Sequence, residues 1–469
     1  MEQRAKKAFS WIVSIFSLKE ERATPAKGSR GTIAALDGVR AIAALLVVTL
    51  HLNEFAGVPW KLDQNPLATA LAVFGRTGVD LFFVLSGFLL FLPYAKALLF
   101  QERWLSLRTF YLKRIFRIWP GYYFSLGLIL CWYERQYLQP DHWKQLALFF
   151  TFFMDSSSQT WQQINGPFWT LAIEWQFYLL LPLIAFCFFR VLKRCRLSAP
   201  HQRFQIVLGC CGVLILLSLA MRGFGVYCLR NPSWTFLVPR HVLNFILFFT
   251  YGVQGKYLEV FALGMIVSVC YTYAHHSQAG VVFKARLQRW SNWICRVGFI
   301  WLICLAPWQL IATNYRNVKV SPFSGFSFLH FLIPYYAWLG EPLSGVGYGL
   351  CVLAILFGSP ALRWFFELPY MRWIGQISYG LYMWNQKLLD MFDLRVFHHL
   401  PAAGGVLLRS VSIWIFVFAI MLPLCALFYR FIERPGIRLG NWVINRKPGT
   451  RFFLKRGQGQ LQVKGSPER

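Results

Sequence analysis

An all-α, polytopic membrane bundle of about ten spanning helices is the fold class the sequence predicts, and three observations predict it. The chain is 57% hydrophobic and only 14% charged over 469 residues, whereas soluble domains carry about 25% charged residues. Apolar runs of bilayer-crossing length recur from residue 33 to residue 430. Lys and Arg collect in alternate connections between those runs, which is the pattern that sets membrane orientation.

Ten spans are predicted, at about 33–52, 72–95, 116–136, 168–189, 204–222, 256–275, 297–313, 342–358, 374–394 and 406–430. The segment before them is basic. So is the second connection, with Lys96, Arg103, Arg108, Lys113, Arg114 and Arg117. The fourth carries Arg190, Lys193, Arg194, Arg196 and Arg203, and the sixth carries Lys284, Arg286, Arg289 and Arg296. Arg363 and Arg372 mark the eighth, and the tail is basic again. This parity predicts both termini in the cytoplasm. The predicted organisation is a basic cytoplasmic segment at 1–32, a membrane domain at 33–436 and a basic cytoplasmic tail at 437–469. No cleavable signal is expected. The short apolar piece at 9–18 reads as an interfacial stretch.

Two apolar runs test the parity. Residues 143–154 are too few for a crossing and read as a re-entrant or interfacial piece on the outer side. Residues 236–251 hold Arg240 and His241 and are equally ambiguous. If both crossed, the basic connection at 190–203 would lie outside, against the charge rule.

A net charge of +29 points to nucleic acid only where cations form one patch. Here they lie in short runs between apolar segments, where they meet anionic lipid, so membrane lipids are the expected partner and nucleic acid is not. The eleven cysteines show no metal-ligand spacing, and most lie inside apolar runs as small hydrophobes. No metal is expected.

The first span, residues 36–51, reads LDGVRAIAALLVVTLH and carries Asp37, Arg40 and His51. Ionisable groups inside a spanning helix cost a few kcal/mol. Arg40 and His51 are eleven residues apart, so they stand on one helix face, separated by roughly 16 Å along the axis. The helix thus aims a fixed cation and a titratable imidazole at one interior surface, at two depths. Glu174 falls six residues into the fourth span, at a depth expected to match His51. A carboxylate beside an imidazole holds its tautomer and suits general-base activation of a hydroxyl. Arg114 and Arg117 share a face at the cytoplasmic entrance to the third span. Paired guanidinium groups grip phosphate, although any cytoplasmic helix end also attracts Lys and Arg. Asp80 and Ser86, in GVDLFFVLSG at 78–87, read as a near-surface carboxylate and a packing residue. Tyr379, Tyr382, Asn385, Gln386 and Lys387 form a polar run in the ninth span, placed to line a cavity.

These blocks, in this order, resemble the membrane-bound acyltransferase family 3. They are LDGVRAIAALLVVTLH (36–51), TGVDLFFVLSGFLL (77–90), FYLKRIFRIWPGYY (110–123), FWTLAIEWQFYLLLP (168–182), IGQISYGLYMW (374–384) and FIERP (431–435). The resemblance implies transfer of an acyl group, commonly acetyl, from cytoplasmic acyl-CoA to a carbohydrate hydroxyl in the envelope of a bacterium, at the plasma membrane. It implies that Arg114 and Arg117 hold CoA phosphates, that Arg40 lines the acyl-pantetheine path, and that His51 is general base or transient acyl carrier supported by Glu174. Asp37, Trp169, Tyr178, Tyr382 and Asn385 are the candidate acceptor contacts. Asn385 and Lys387 depart from the resemblance, because family members often have His and Pro there. An appended esterase-like domain is not expected after the tenth span. A competing class, a flippase or transporter of a lipid-linked glycan, would line its pathway with Arg40, His51 and Glu174. The lack of an inverted repeat and the cluster of cations at one inner mouth favour the enzyme.

Overall fold

The structure is a computed structural model that describes residues 34–55, 73–195, 199–233, 238–314, 331–395 and 405–445. The basic segment 1–32, with its apolar piece, and the tail beyond 445 lie outside the described residues.

The chain forms helices throughout, with no strand among the described residues. In order they are α1 (Ala35–Phe55), α2 (Gly78–Phe100), α3 (Leu107–Trp132), α4 (Trp143–Thr151), α5 (Phe168–Arg194) and α6 (Pro200–Arg230). There follow α7 (Arg240–Thr250), α8 (Leu258–His276), α9 (Gly280–Asn314), α10 (Ile333–Phe357), α11 (Pro360–Glu367) and α12 (Pro369–Gln376). The last are α13 (Ser378–Arg395), α14 (Gly405–Phe416), α15 (Leu422–Phe428) and α16 (Arg434–Asn445). Each of the ten predicted spans falls on helix, the ninth divided between α12 and α13.

Among the described residues, eight helical stretches are long and apolar enough to cross a membrane. The two predicted spans missing from that set are α3 and α13. Arg108, Lys113, Arg114 and Arg117 dilute the first, and Lys387, Asp390, Asp393 and Arg395 dilute the second. Both helices contribute side chains to the site described below. The short helices α4 and α7 have nine and eleven residues, or roughly 14 and 16 Å, well short of a bilayer core.

At the centre, α2 packs against α1, α8 and α10, while α1 also packs against α12 and α13. Glycines set the α2–α8 crossing. A Cβ on Gly87 would sit 2.1 Å from the Phe261 carbonyl oxygen, and one on Gly264 would sit 2.1 Å from that of Val84. Backbones can approach this closely only where side chains are missing. Gly87→Leu is therefore expected to force the two helices apart, at a cost of about 1–3 kcal/mol or more. Loss of monodisperse protein after detergent extraction, or a lowered melting midpoint, checks it.

The last helical stretch carries two prolines. Pro423 and Pro435 lack the N–H that would bond the carbonyl four residues back. Each follows a widened π turn, at Val417–Met421 and Tyr429–Glu433, which absorbs the missing bond. Beyond the second, α16 turns back to pack on α3. The expected start of the cytoplasmic tail, residue 437, thus falls inside a packed helix.

The connection from α4 to α5 is buried at Phe152, Met154, Asp155, Thr160, Ile164 and Asn165, while Ser158, Gln159, Gln162 and Gln163 are exposed. Gln176 donates to the Phe152 carbonyl and to Asp155, while Lys256 pairs with Asp155. Asn165 donates to the Met383 carbonyl at 2.8 Å. These bonds fasten a loop across the start of α5, where it roofs one of the two chambers of the site.

Candidate active site

Two chambers meet inside the bundle. The first is a cavity of about 90 Å³ lined by Arg40 of α1, Ser86 of α2, Arg114 and Arg117 of α3, Glu174 and Tyr178 of α5, and Tyr379 and Tyr382 of α13. Its electrostatics are lopsided, with three guanidinium groups against one lining carboxylate. Glu174 accepts hydrogen bonds from Ser86 (2.7 Å) and from the Tyr178 hydroxyl. The Arg114 guanidinium lies 5.8 Å from the centroid of the Tyr178 ring, within cation–π range. Its Nε finds no acceptor among the described residues. Arg40 lies within electrostatic reach of Glu174, Arg114 and Arg117.

The second chamber, about 230 Å³, is lined by His51, Arg76, Gln162, Trp169, Tyr382 and Gln386, among others. Tyr382 and Val79 line both chambers and form the partition between them. Tyr382 is held in place by a 2.7 Å hydrogen bond between its hydroxyl and that of Thr170, and by an edge contact with Phe82. Arg40 and His51 therefore open onto neighbouring chambers from one helix.

Glu174 departs from its expected place. It shares a chamber with Arg40, and not with His51. Phe168 is not a membrane boundary: it is fully buried, and Trp169 already lines the histidine chamber. The helix starts inside the protein, level with His51, and Glu174 lies roughly 9 Å farther along it. Asp37 does not reach either chamber wall. It pairs with Arg40 at 3.6 Å and steadies that cation. Asn385 is also turned away, because its amide donates to the Leu381 and Tyr382 carbonyls of its own helix. Its neighbour Gln386 lines the histidine chamber instead, and Lys387 pairs with Glu134 at 3.0 Å. Trp169, Tyr178 and Tyr382 do line the chambers.

Sequence reasoning missed a second charged cluster behind the histidine chamber. Arg222 donates to Glu259 at 2.7 Å and pairs with Glu341 at 3.3 Å. Arg76 reaches Glu341 at 3.9 Å and Gln254 at 2.8 Å. Asp80, expected near the surface, is buried in this cluster beside Arg76, Tyr257 and Glu341.

A membrane-embedded bundle with a cationic chamber beside a histidine chamber defines a class of protein that can hold an anionic ligand next to a proton acceptor. The family model described as "Acyltransferase domain" matches residues 33–430, and the chain belongs to that family, the membrane-bound acyltransferases of family 3. It is 23% identical to peptidoglycan O-acetyltransferase OatA of Listeria monocytogenes over 87% of this chain and 56% of that protein. It is 22% identical to O-acetyltransferase OatA of Staphylococcus aureus over 91% of this chain and 59% of that one. A 30% identical match to putative peptidoglycan O-acetyltransferase YrhL of Bacillus subtilis covers 36% of this chain and 26% of its partner. The chain thus spans somewhat over half the length of the OatA relatives. No solved structure matches it.

Proposed function

We propose that the protein transfers an acyl group, acetyl in the first instance, from cytoplasmic acyl-CoA to a hydroxyl of an envelope glycan on the outer side of a bacterial plasma membrane. The observation that carries this reading is the single partition, Tyr382 and Val79, between a chamber lined by Arg40, Arg114 and Arg117 and one lined by His51. Three guanidinium groups facing one lining carboxylate favour an anionic ligand, Arg114 keeps its Nε without an acceptor among the described residues, and guanidinium forks suit phosphate. CoA brings phosphates to the Arg114–Arg117 end and its thioester to the partition.

On the other side of the partition, Trp169 offers an aromatic face and Gln162 and Gln386 offer amides. That set suits a sugar ring and its hydroxyls. His51 takes the proton of the acceptor hydroxyl as its oxygen bonds the thioester carbon. The C–S bond breaks, and the proton passes to the CoA sulfur. In the two-step variant a His51 nitrogen bonds the acyl carbon first, CoA leaves as the thiol, and the acceptor oxygen then displaces the imidazole. Peptidoglycan, named for the Listeria relative, is the acceptor to try first.

The test uses purified protein in nanodiscs with radiolabelled acetyl-CoA and soluble peptidoglycan fragments. CoA release coupled to label on glycan supports the proposal. Glycan movement across the membrane without CoA release would replace it with the transporter reading.

Glu174 has a role of its own in this scheme, on the donor side. Glu174→Gln keeps the shape but removes the charge that balances Arg40 and Arg114. With the one lining carboxylate neutralised the chamber is more cationic, so the KM for acetyl-CoA is expected to fall severalfold. The acceptor KM stays put. Steady-state kinetics with each substrate varied in turn separates the two.

A further inference from the structure

The cationic chamber has a neighbour at its α3 end. A cleft of about 270 Å³ lies between α3 and α16, and Arg114 and Arg117 line both spaces. Lys113 and Phe116 complete the α3 wall, and Ile437, Gly440 and Asn441 form the α16 wall. Glycines at 436 and 440, one helical turn apart, allow the two helices to come this close. A Cβ on Gly440 would sit 2.6 Å from Cβ of Phe116, and one on Gly436 would sit 2.8 Å from the Phe116 carbonyl oxygen.

The chemistry of the cleft is specific. Three cations line it and no carboxylate does, so nothing within its walls neutralises them. Lys113 and Arg117 are both exposed to solvent, and Arg114 keeps its Nε without an acceptor among the described residues. Beside these cations stand an aromatic ring, a branched aliphatic side chain and an amide. A molecule with several phosphates and a flat heteroaromatic base matches that set. Phosphates take the guanidinium forks and the ammonium, an aromatic face suits the base, and the amide suits its polar edge.

We propose that the α3–α16 cleft binds the nucleotide end of the donor, with Lys113 taking the 3′-phosphate of CoA. This rests on the acyl-CoA reading above and adds what selects the donor. Arg114 and Arg117 belong to both spaces, so the pyrophosphate lies at the junction. Lys113 lines only the cleft, so it meets the phosphate farthest from the pantetheine arm. The consequence is selection: the protein prefers CoA thioesters to dephospho-CoA or pantetheine thioesters, and to acyl groups carried on a protein-bound phosphopantetheine.

The experiment measures binding of CoA, 3′-dephospho-CoA and pantetheine to the full chain in nanodiscs, by calorimetry at one ionic strength. Wild type is expected to bind CoA about tenfold or more tighter than dephospho-CoA, as a charge-assisted contact to one phosphate would give. Lys113→Ala is expected to bring CoA down to the dephospho-CoA level and to leave dephospho-CoA unchanged. Ile437→Trp, which fills the cleft, is expected to weaken both nucleotides and spare turnover of acetyl-pantetheine. Equal wild-type affinity for CoA and dephospho-CoA overturns the proposal. So does a Lys113→Ala loss that is the same for both, since that reports diffuse charge. If folded wild type binds no CoA species at all, the donor reading falls first and takes the cleft with it.

Discussion

His51→Ala is expected to lower acyl transfer by about 10²–10⁴-fold, the range that a positioned general base or acid supplies, while acetyl-CoA binds as tightly as to wild type. The separation follows from the partition. His51 lines the chamber beyond Tyr382, and the cations proposed to hold the donor line the chamber before it. Calorimetry with CoA and turnover with acetyl-CoA and glycan, on the same preparation, read the two effects independently. Rapid quenching adds a third readout. If His51 carries the acyl group, wild type given labelled acetyl-CoA without acceptor retains label on protein and His51→Ala retains none. Full transfer by His51→Ala would remove the histidine from the chemistry. Donor affinity lost together with transfer would mean that the substitution disturbs the whole bundle, and a conservative His51→Gln variant would then be the one to read.

The span pattern was legible because hydropathy is summed over many residues, so single errors cancel. The shared face of Arg40 and His51 was equally legible, since one helix fixes both and only its pitch is needed. Relations between helices were harder to read. Glu174 and His51 lie on α5 and α1, and the expected pairing assumed that both helices start at the membrane surface. In fact α5 starts under the loop that the buried Asn165 and Asp155 fasten. Asn385 misled for a different reason. A polar side chain in an apolar run invites a cavity, but backbone carbonyls one turn back accept its amide just as well. Neither error disturbed the residues whose placement one helix decides. Arg114 and Arg117 share a face of α3, and both line the cationic chamber.

Arg222 shows the same limit at larger cost, and it carries the second large prediction. Arg222, Glu259 and Glu341 each fall at the edge of a predicted span, where a charge raises no alarm. In the fold, one guanidinium joins three helices. From α6 it donates Nε to Glu259 of α8 and Nη1 to Glu341 of α10, and it stacks 4.6 Å from the centroid of the Tyr257 ring. Ser218 adds a hydrogen bond to Glu259. Among the described residues, Arg222→Met keeps the bulk but leaves Glu259 with no cation and Glu341 with only Arg76, at 3.9 Å. Breaking one partner from a buried ion pair typically costs about 3–5 kcal/mol, so the variant is expected to lose most of its folded yield. Neutralising the orphan as well, in Arg222→Met with Glu259→Gln, is expected to recover part of that loss. The pair then couples by about 0.5–3 kcal/mol in a double-mutant cycle of melting midpoints. Additive losses would mean that the two charges are stabilised separately. Arg76 ties this cluster to the wall of the histidine chamber, so the rescued double variant also has a functional signature. It is expected to bind CoA normally, because Lys113, Arg114 and Arg117 are untouched, and to show a raised KM for the glycan acceptor.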